Sequence, residues 1–103
     1  VVPHIWYLEI ANVLSIALRK AGGRLTPGAR TEFLEMLSSA PIRADMRTHE
    51  HAWTATLHLA DTHKLSTYDA AYLELAIRLG AELATLDREL RAAAQLAGVR
   101  TLP

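Results

Sequence analysis

Residues 66–91 read STYDAAYLELAIRLGAELATLDRELR, and the fold turns on them. Ser66 or Thr67 can cap a helix, and Gly80 supplies its stop. At 3.6 residues per turn, Asp69 in the first turn shares a face with Tyr72, Leu73 and Ala76. Glu74 and Arg78 fall on the opposite face, where the i,i+4 spacing predicts a solvated ion pair. After Gly80, Glu82–Leu86 reads as a short strand. Asp87 then stands where that strand meets a further helix, with Leu90, Ala93, Ala94 and Ala97 as the buried stripe. A carboxylate at the carboxyl end of a strand is where open α/β sheets place ligands, but the same residue is a good helix N-cap. Both readings stay open for Asp87, as they do for Asp69, which also suits a helix N-terminus.

Upstream, Val1-Val2 reads as the end of a strand and Pro3 as the first position of a helix. That helix, from His4 to Ala21, is apolar on two sides. Ile5, Val13 and Ile16 share the face of Glu9, and Tyr7, Ala11, Leu14 and Leu18 lie opposite, so burial on both sides is expected. Gly22-Gly23 ends it. Glu9 in such a helix needs a partner, a proton or a cation. Asn12, one turn on, can bond to Glu9 or simply fill the helix. Thr26-Pro27 opens a second helix with Phe33, Leu34 and Leu37 inside. Ile42–Met46 is a short strand. Thr48 caps a third helix running to about His63, with Ala52, Trp53, Ala55, Leu57, Leu59 and Ala60 as its apolar set. His51 and His58 share a face there, but without an HExxH pattern they read as surface histidines. Val99–Leu102 forms a last strand after Gly98. Strands separated by helices predict a parallel α/β sheet in one domain over residues 1–103.

Bulk properties narrow the function. The 103 residues suffice for one core, and half are apolar, as in a globular domain. The formal net charge is zero, so no global field draws the chain to nucleic acid, and any such binding must be local. Nine of the eleven cations are Arg, the residue suited to phosphate. The absence of Cys removes thiol nucleophiles, disulfides and Cys-based zinc sites, and fits a reducing cytoplasm. No apolar run approaches the roughly 18 residues of a membrane span.

If Glu9, Asp69 and Asp87 meet at one end of the sheet, their mutual repulsion calls for a hard divalent cation. A donor set of oxygens without His or Cys selects Mg²⁺ or Mn²⁺. The chemistry that follows is phosphodiester hydrolysis. Thr85 would hold a water or a phosphate, or serve only as a β-branched strand residue. Arg88 and Arg91 would contact RNA phosphates or remain solvated helix charges.

The chain resembles the PIN-domain endoribonucleases of the VapC toxin family. The resemblance rests on Trp6, Glu9 and Asn12 in WYLEIAN, on Leu65–Leu73, on Leu83–Asp87 followed by Arg88-Glu89-Leu90, and on the Pro41-Ile42 step. It implies a PIN-like parallel sheet flanked by helices, and a Mg²⁺- or Mn²⁺-dependent site in which Glu9, Asp69 and Asp87 match the second, third and fourth acids. Thr85, Arg88 and Asn12 are the implied substrate contacts. It further implies transfer or ribosomal RNA as substrate, a cognate antitoxin as partner, a homodimer and a cytoplasmic setting. In the family, a mid-sheet strand ending in the first acid precedes the WxxE helix, and residues 1–103 hold no counterpart. These residues alone are therefore expected to be inactive or poorly folded. A competing expectation is a PIN-like binding or regulatory module without catalysis. A phospho-receiver domain ranks below both, because Lys20 and Lys64 sit at helix ends rather than beside the acids.

Overall fold

A computed structural model describes residues 1–20 and 25–103. The elements in chain order are β1 (Val2–Pro3), α1 (Trp6–Arg19), α2 (Pro27–Ser38), β2 (Ala44–Asp45), α3 (Thr48–His51), a π-helical segment (Ala52–Thr56), α4 (Leu57–His63), α5 (Thr67–Leu79), β3 (Leu83–Ala84), α6 (Arg88–Leu96) and β4 (Thr101–Leu102). The class is α/β, mostly helical, with short parallel strands. No helix among the described residues is long and apolar enough to cross a membrane.

Helix α5 is the hub. It packs on α3, the π segment, α4, α6, β1 and β3. Its ends are set locally, as the sequence predicts: Ser66 Oγ accepts from the Asp69 amide at 3.1 Å, and Gly80 closes the helix in the left-handed region at φ 61°. Ala70, Ala71, Leu73, Leu75 and Ala76 are buried along it. Leu73 and Ala76 join Leu83, Leu90, Ala93, Ala94 and Val99 in the core, against which Leu59, Leu65 and Tyr72 pack. Ala97, the last residue of the expected α6 stripe, is exposed.

The strands form two parallel pairs rather than one sheet. β1 lies beside β2 (Val2↔Ala44, Pro3↔Asp45), and β3 beside β4 (Leu83↔Thr101, Ala84↔Leu102). Leu83 and Thr85 send their amides to Arg100 and Leu102 on the β4 side, each at 2.9 Å. Side chains and amides alternate along a strand, so the Ala84 amide faces away from β4. On that side a trough of about 350 Å³ separates β3 from β1, lined by Val2, Pro3, Trp6, Tyr72, Leu75 and Leu83 among others.

Several local expectations are corrected. Pro3 belongs to β1, and the first helix begins at Trp6, with Ile5 as an N-cap that makes no side-chain bond. Its expected Gly22-Gly23 stop lies outside the described residues. The two-sided burial predicted for α1 is not found: only Leu14 is buried, while Leu8 is 76% and Val13 63% exposed. Thr26 and Pro27 do open α2, the Thr26 hydroxyl accepting from the Ala29 amide, yet α2 has no buried residue. Its Leu34 and Leu37 face Trp6, Tyr7 and Ile10 across an apolar cleft of about 330 Å³. The helix expected from Thr48 to His63 is interrupted by the π segment, whose wider turn shifts the register of side chains. Trp53, read as inward-facing, is 90% exposed, and Thr56 is buried with its Oγ1 unpartnered.

The largest correction concerns Glu74 and Arg78. They pair, with Nε to Oε2 at 2.8 Å, but not in solvent, because Glu74 is buried and Asp45 of β2 completes a trio. Arg78 donates to both Asp45 oxygens, at 3.1 and 2.6 Å. This bidentate geometry holds the Asp45 carboxyl down at about 2, its largest cause being the Arg78 hydrogen bonds, with Thr48 Oγ1 and the Arg47 amide adding to them against the cost of burial. The same carboxylates push the Arg78 guanidinium further up. The trio fastens β2, and through it β1, onto α5.

Candidate active site

Glu9 enters the site from the first turn of α1, its amide bonded to the Ile5 carbonyl at 3.1 Å. Asp69 enters from the first turn of α5, and Thr85 from the end of β3. All three line one cavity of about 280 Å³, whose apolar walls are Trp6, Ile10, Val13, Ala84 and Leu90. The sequence separates Glu9 and Asp69 by most of the chain, and the fold sets both in one cavity, with a Tyr72–Glu9 hydrogen bond joining α5 to α1.

Tyr72 stands between the two acids. Its Oη donates to Glu9 Oε1 at 2.5 Å, and its ring is half-buried against the core. Burial pushes the phenol above its ordinary range, the hydrogen bond to Glu9 adds to this, and the charges of Glu9 and Asp69 raise it further. Both carboxylates therefore act on one hydroxyl, as convergence in one cavity requires. The sequence places Tyr72 on the Asp69 face of α5 but carries no sign of its bond to α1.

Asp87 is anchored at the edge of this cavity rather than within its lining. Its Oδ1 accepts from the Leu90 amide at 2.8 Å, so it is the N-cap of α6, and its own amide donates to Thr85 Oγ1 at 3.0 Å. Thr85 and Leu90, the two residues that hold it, both line the cavity. Among the described residues no group of three or more His, Cys, Asp or Glu side chains stands close enough to hold a metal ion. Asn12 and Arg88 are exposed and do not line the cavity. Arg91 is not a solvated charge: its Nη2 donates to the Thr85 carbonyl at 2.7 Å, and its Nε is buried without a partner. It clasps the turn that carries Asp87.

The PIN-domain profile matches residues 1–96, nearly the whole chain. The chain belongs to the PIN-domain family. PIN domains are in general metal-dependent nucleases that use divalent ions, so this PIN domain is a nuclease-type fold. No curated protein and no solved structure matches it.

The donor set of this PIN domain suits such an ion in kind. Mg²⁺ is ordinarily held by one or two carboxylates and keeps several waters. Glu9 and Asp69 would supply the carboxylates, and the cavity has room for waters. Nitrogen and sulfur ligands are absent from the lining, which favours hard ions over zinc.

Proposed function

We propose that this chain belongs to a VapC-type toxin: an Mg²⁺- or Mn²⁺-dependent endoribonuclease that cuts transfer or ribosomal RNA in the cytoplasm. The observation that carries the reading is the meeting of Glu9 and Asp69 in one cavity with Thr85. Two carboxylates that line one cavity favour a cation between them. When bound, a divalent ion supplies charge for a phosphate oxygen and lowers the pKa of a bound water. Glu9 and Asp69 would hold that charge. The Thr85 hydroxyl and the Asp87 cap fix the turn at the cavity's edge, and Asp87 stands outside the lining with its Oδ1 on the Leu90 amide. A cognate antitoxin that covers the cavity and a second toxin subunit complete the reading, both implied by the likeness to toxins.

The test is cleavage of a structured RNA by the natural protein, with and without EDTA. EDTA should abolish cleavage and Mg²⁺ restore it. Asp69→Asn and Glu9→Gln should each lower the rate by more than the roughly 100-fold that loss of a supporting partner costs at a metal site. Cleavage insensitive to EDTA and to both substitutions rejects the reading. A second reading, a PIN-like binding module without chemistry, draws on the engagement of Asp87 as a helix cap and on the lack of a three-acid group among the described residues. It predicts no EDTA-sensitive cleavage on any RNA.

A further inference from the structure

A second cavity, of about 300 Å³, is lined by the π segment and by the starts of α4 and α5. It shares no lining residue with the acidic cavity. We propose that it binds a small, neutral, planar molecule through one hydroxyl or N–H group, which bonds to Thr56.

Thr56 carries the inference. It lines the cavity and is 4% exposed, and its Oγ1 is buried with no hydrogen-bond partner among the described residues. A buried hydroxyl left unbonded costs free energy, and most such groups are paired. A threonine within a helix can return its hydroxyl to the carbonyl one turn back, as Thr31 does to Pro27 at 3.0 Å. Thr56, at the end of the π segment, makes no such bond. Such departures from α-helical winding recur at functional sites. Thr48, also in the lining, is already engaged: its Oγ1 donates to Asp45 Oδ2 at 2.9 Å and accepts from the His4 amide at 3.1 Å. The Thr56 hydroxyl is the buried group with capacity for a ligand.

The rest of the lining sets the ligand's chemistry. None of it is charged, so a charged molecule would lose its hydration without a counter-charge. Ile5 and Leu57 supply apolar wall. Trp53 and Tyr68, 90% and 62% exposed, bring two aromatic rings to the rim, and such rings pack best on flat partners. The volume stands at the lower end of small-molecule sites, which suits a single ring and its substituents.

The experiment follows the backbone amide NMR shifts of Leu57, Tyr68 and Ala71 in the natural protein as phenol or toluene is added. The probes are close in size and differ in the hydroxyl. Both should shift these amides, with affinities in the millimolar range of so small a ring. Thr56→Val should weaken phenol relative to toluene by about three- to tenfold, the worth of one hydrogen bond. Trp53→Ala, at an exposed position, should weaken both probes and leave their ratio alone. Thr56→Val should also melt no lower than the parent, because it removes a buried hydroxyl without a partner. A lower Tm would show that the hydroxyl already serves the fold, and overturns the proposal. So does phenol that moves none of the three amides, or an equal loss for both probes in Thr56→Val. Shifts at these amides that follow protein concentration rather than phenol would mark a contact between copies, and reject the small-molecule site.

Discussion

In α5 and α6 most apolar residues are inside; in α1 and α2 most are not. Leu73 and Ala94 have no exposure, and Leu90 is 5% exposed. Leu8, Val13, Leu34 and Met36 are all more than two-fifths exposed, and α2 buries nothing. Both regions are helical and equally rich in Leu, so composition does not separate them. The difference lies in what packs on them: α5 is covered by helices and by strands of both pairs, whereas α1 and α2 face each other across an apolar cleft. The candidate site straddles this divide. Asp69 and Thr85 come from the well-packed region and Glu9 from the exposed one, and Tyr72 is the hydrogen bond between them.

Removing the charge that locks β2 to the well-packed region should have the largest effect. Arg78→Met leaves Asp45 and Glu74 buried without a cation, and should cost about 3–5 kcal/mol, read from urea unfolding. If that variant were as stable as the parent, the trio would be a surface feature and the contrast overstated. Next comes a matched pair of truncations. Leu73→Ala should cost about 3 kcal/mol or more, because the surroundings of a fully buried Leu relax only partly. Leu34→Ala, at 45% exposure, should cost under about 1 kcal/mol in the same assay. Equal losses would erase the distinction between the halves.

Smaller than the loss at Leu73 is the effect on acid stability. The folded carboxyl of Asp45 lies at about 2, below its ordinary 3.8. Its contribution is therefore complete above about pH 4 and is lost as the pH falls through about 2, a loss of about 2 kcal/mol. Unfolding of the parent followed from about pH 5 downward should show that slope, and Asp45→Asn should flatten it.

What was legible in the sequence was what neighbours in sequence decide. The Ser66 cap, the Gly80 stop, the Thr26-Pro27 start and the Asp87 cap all concern residues within one turn, and each is present. The parallel pairing followed from strands separated by helices, though in two pairs rather than one sheet, and the buried Leu73–Ala76 face of α5 from its periodicity. The fate of Glu74 and Arg78 was not legible, because the i,i+4 spacing is the same whether or not Asp45 lies on top of it. The exposure of α1 escaped for a similar reason: an all-round apolar pattern states that a cover is suited, not that one is present. The π segment had no signal in the residues that form it. In the site, Glu9, Asp69 and Thr85 were identifiable as candidates from residue type and placement, and their convergence was not. Tyr72 was visible only as a residue on the right face, since its partner sits in another helix.

The trough between β1 and β3 bears on how samples of this chain should behave at the bench. Along β3, among the described residues, no strand pairs with the Ala84 amide, which lies beside a strip of Val, Pro and Leu side chains. An open strand margin of that kind is a template for the backbone of any extended segment, including one from another copy. Its amide should exchange with deuterium far sooner than those of Leu83 and Thr85, and concentrated solutions should clump through this margin before the helical body loosens.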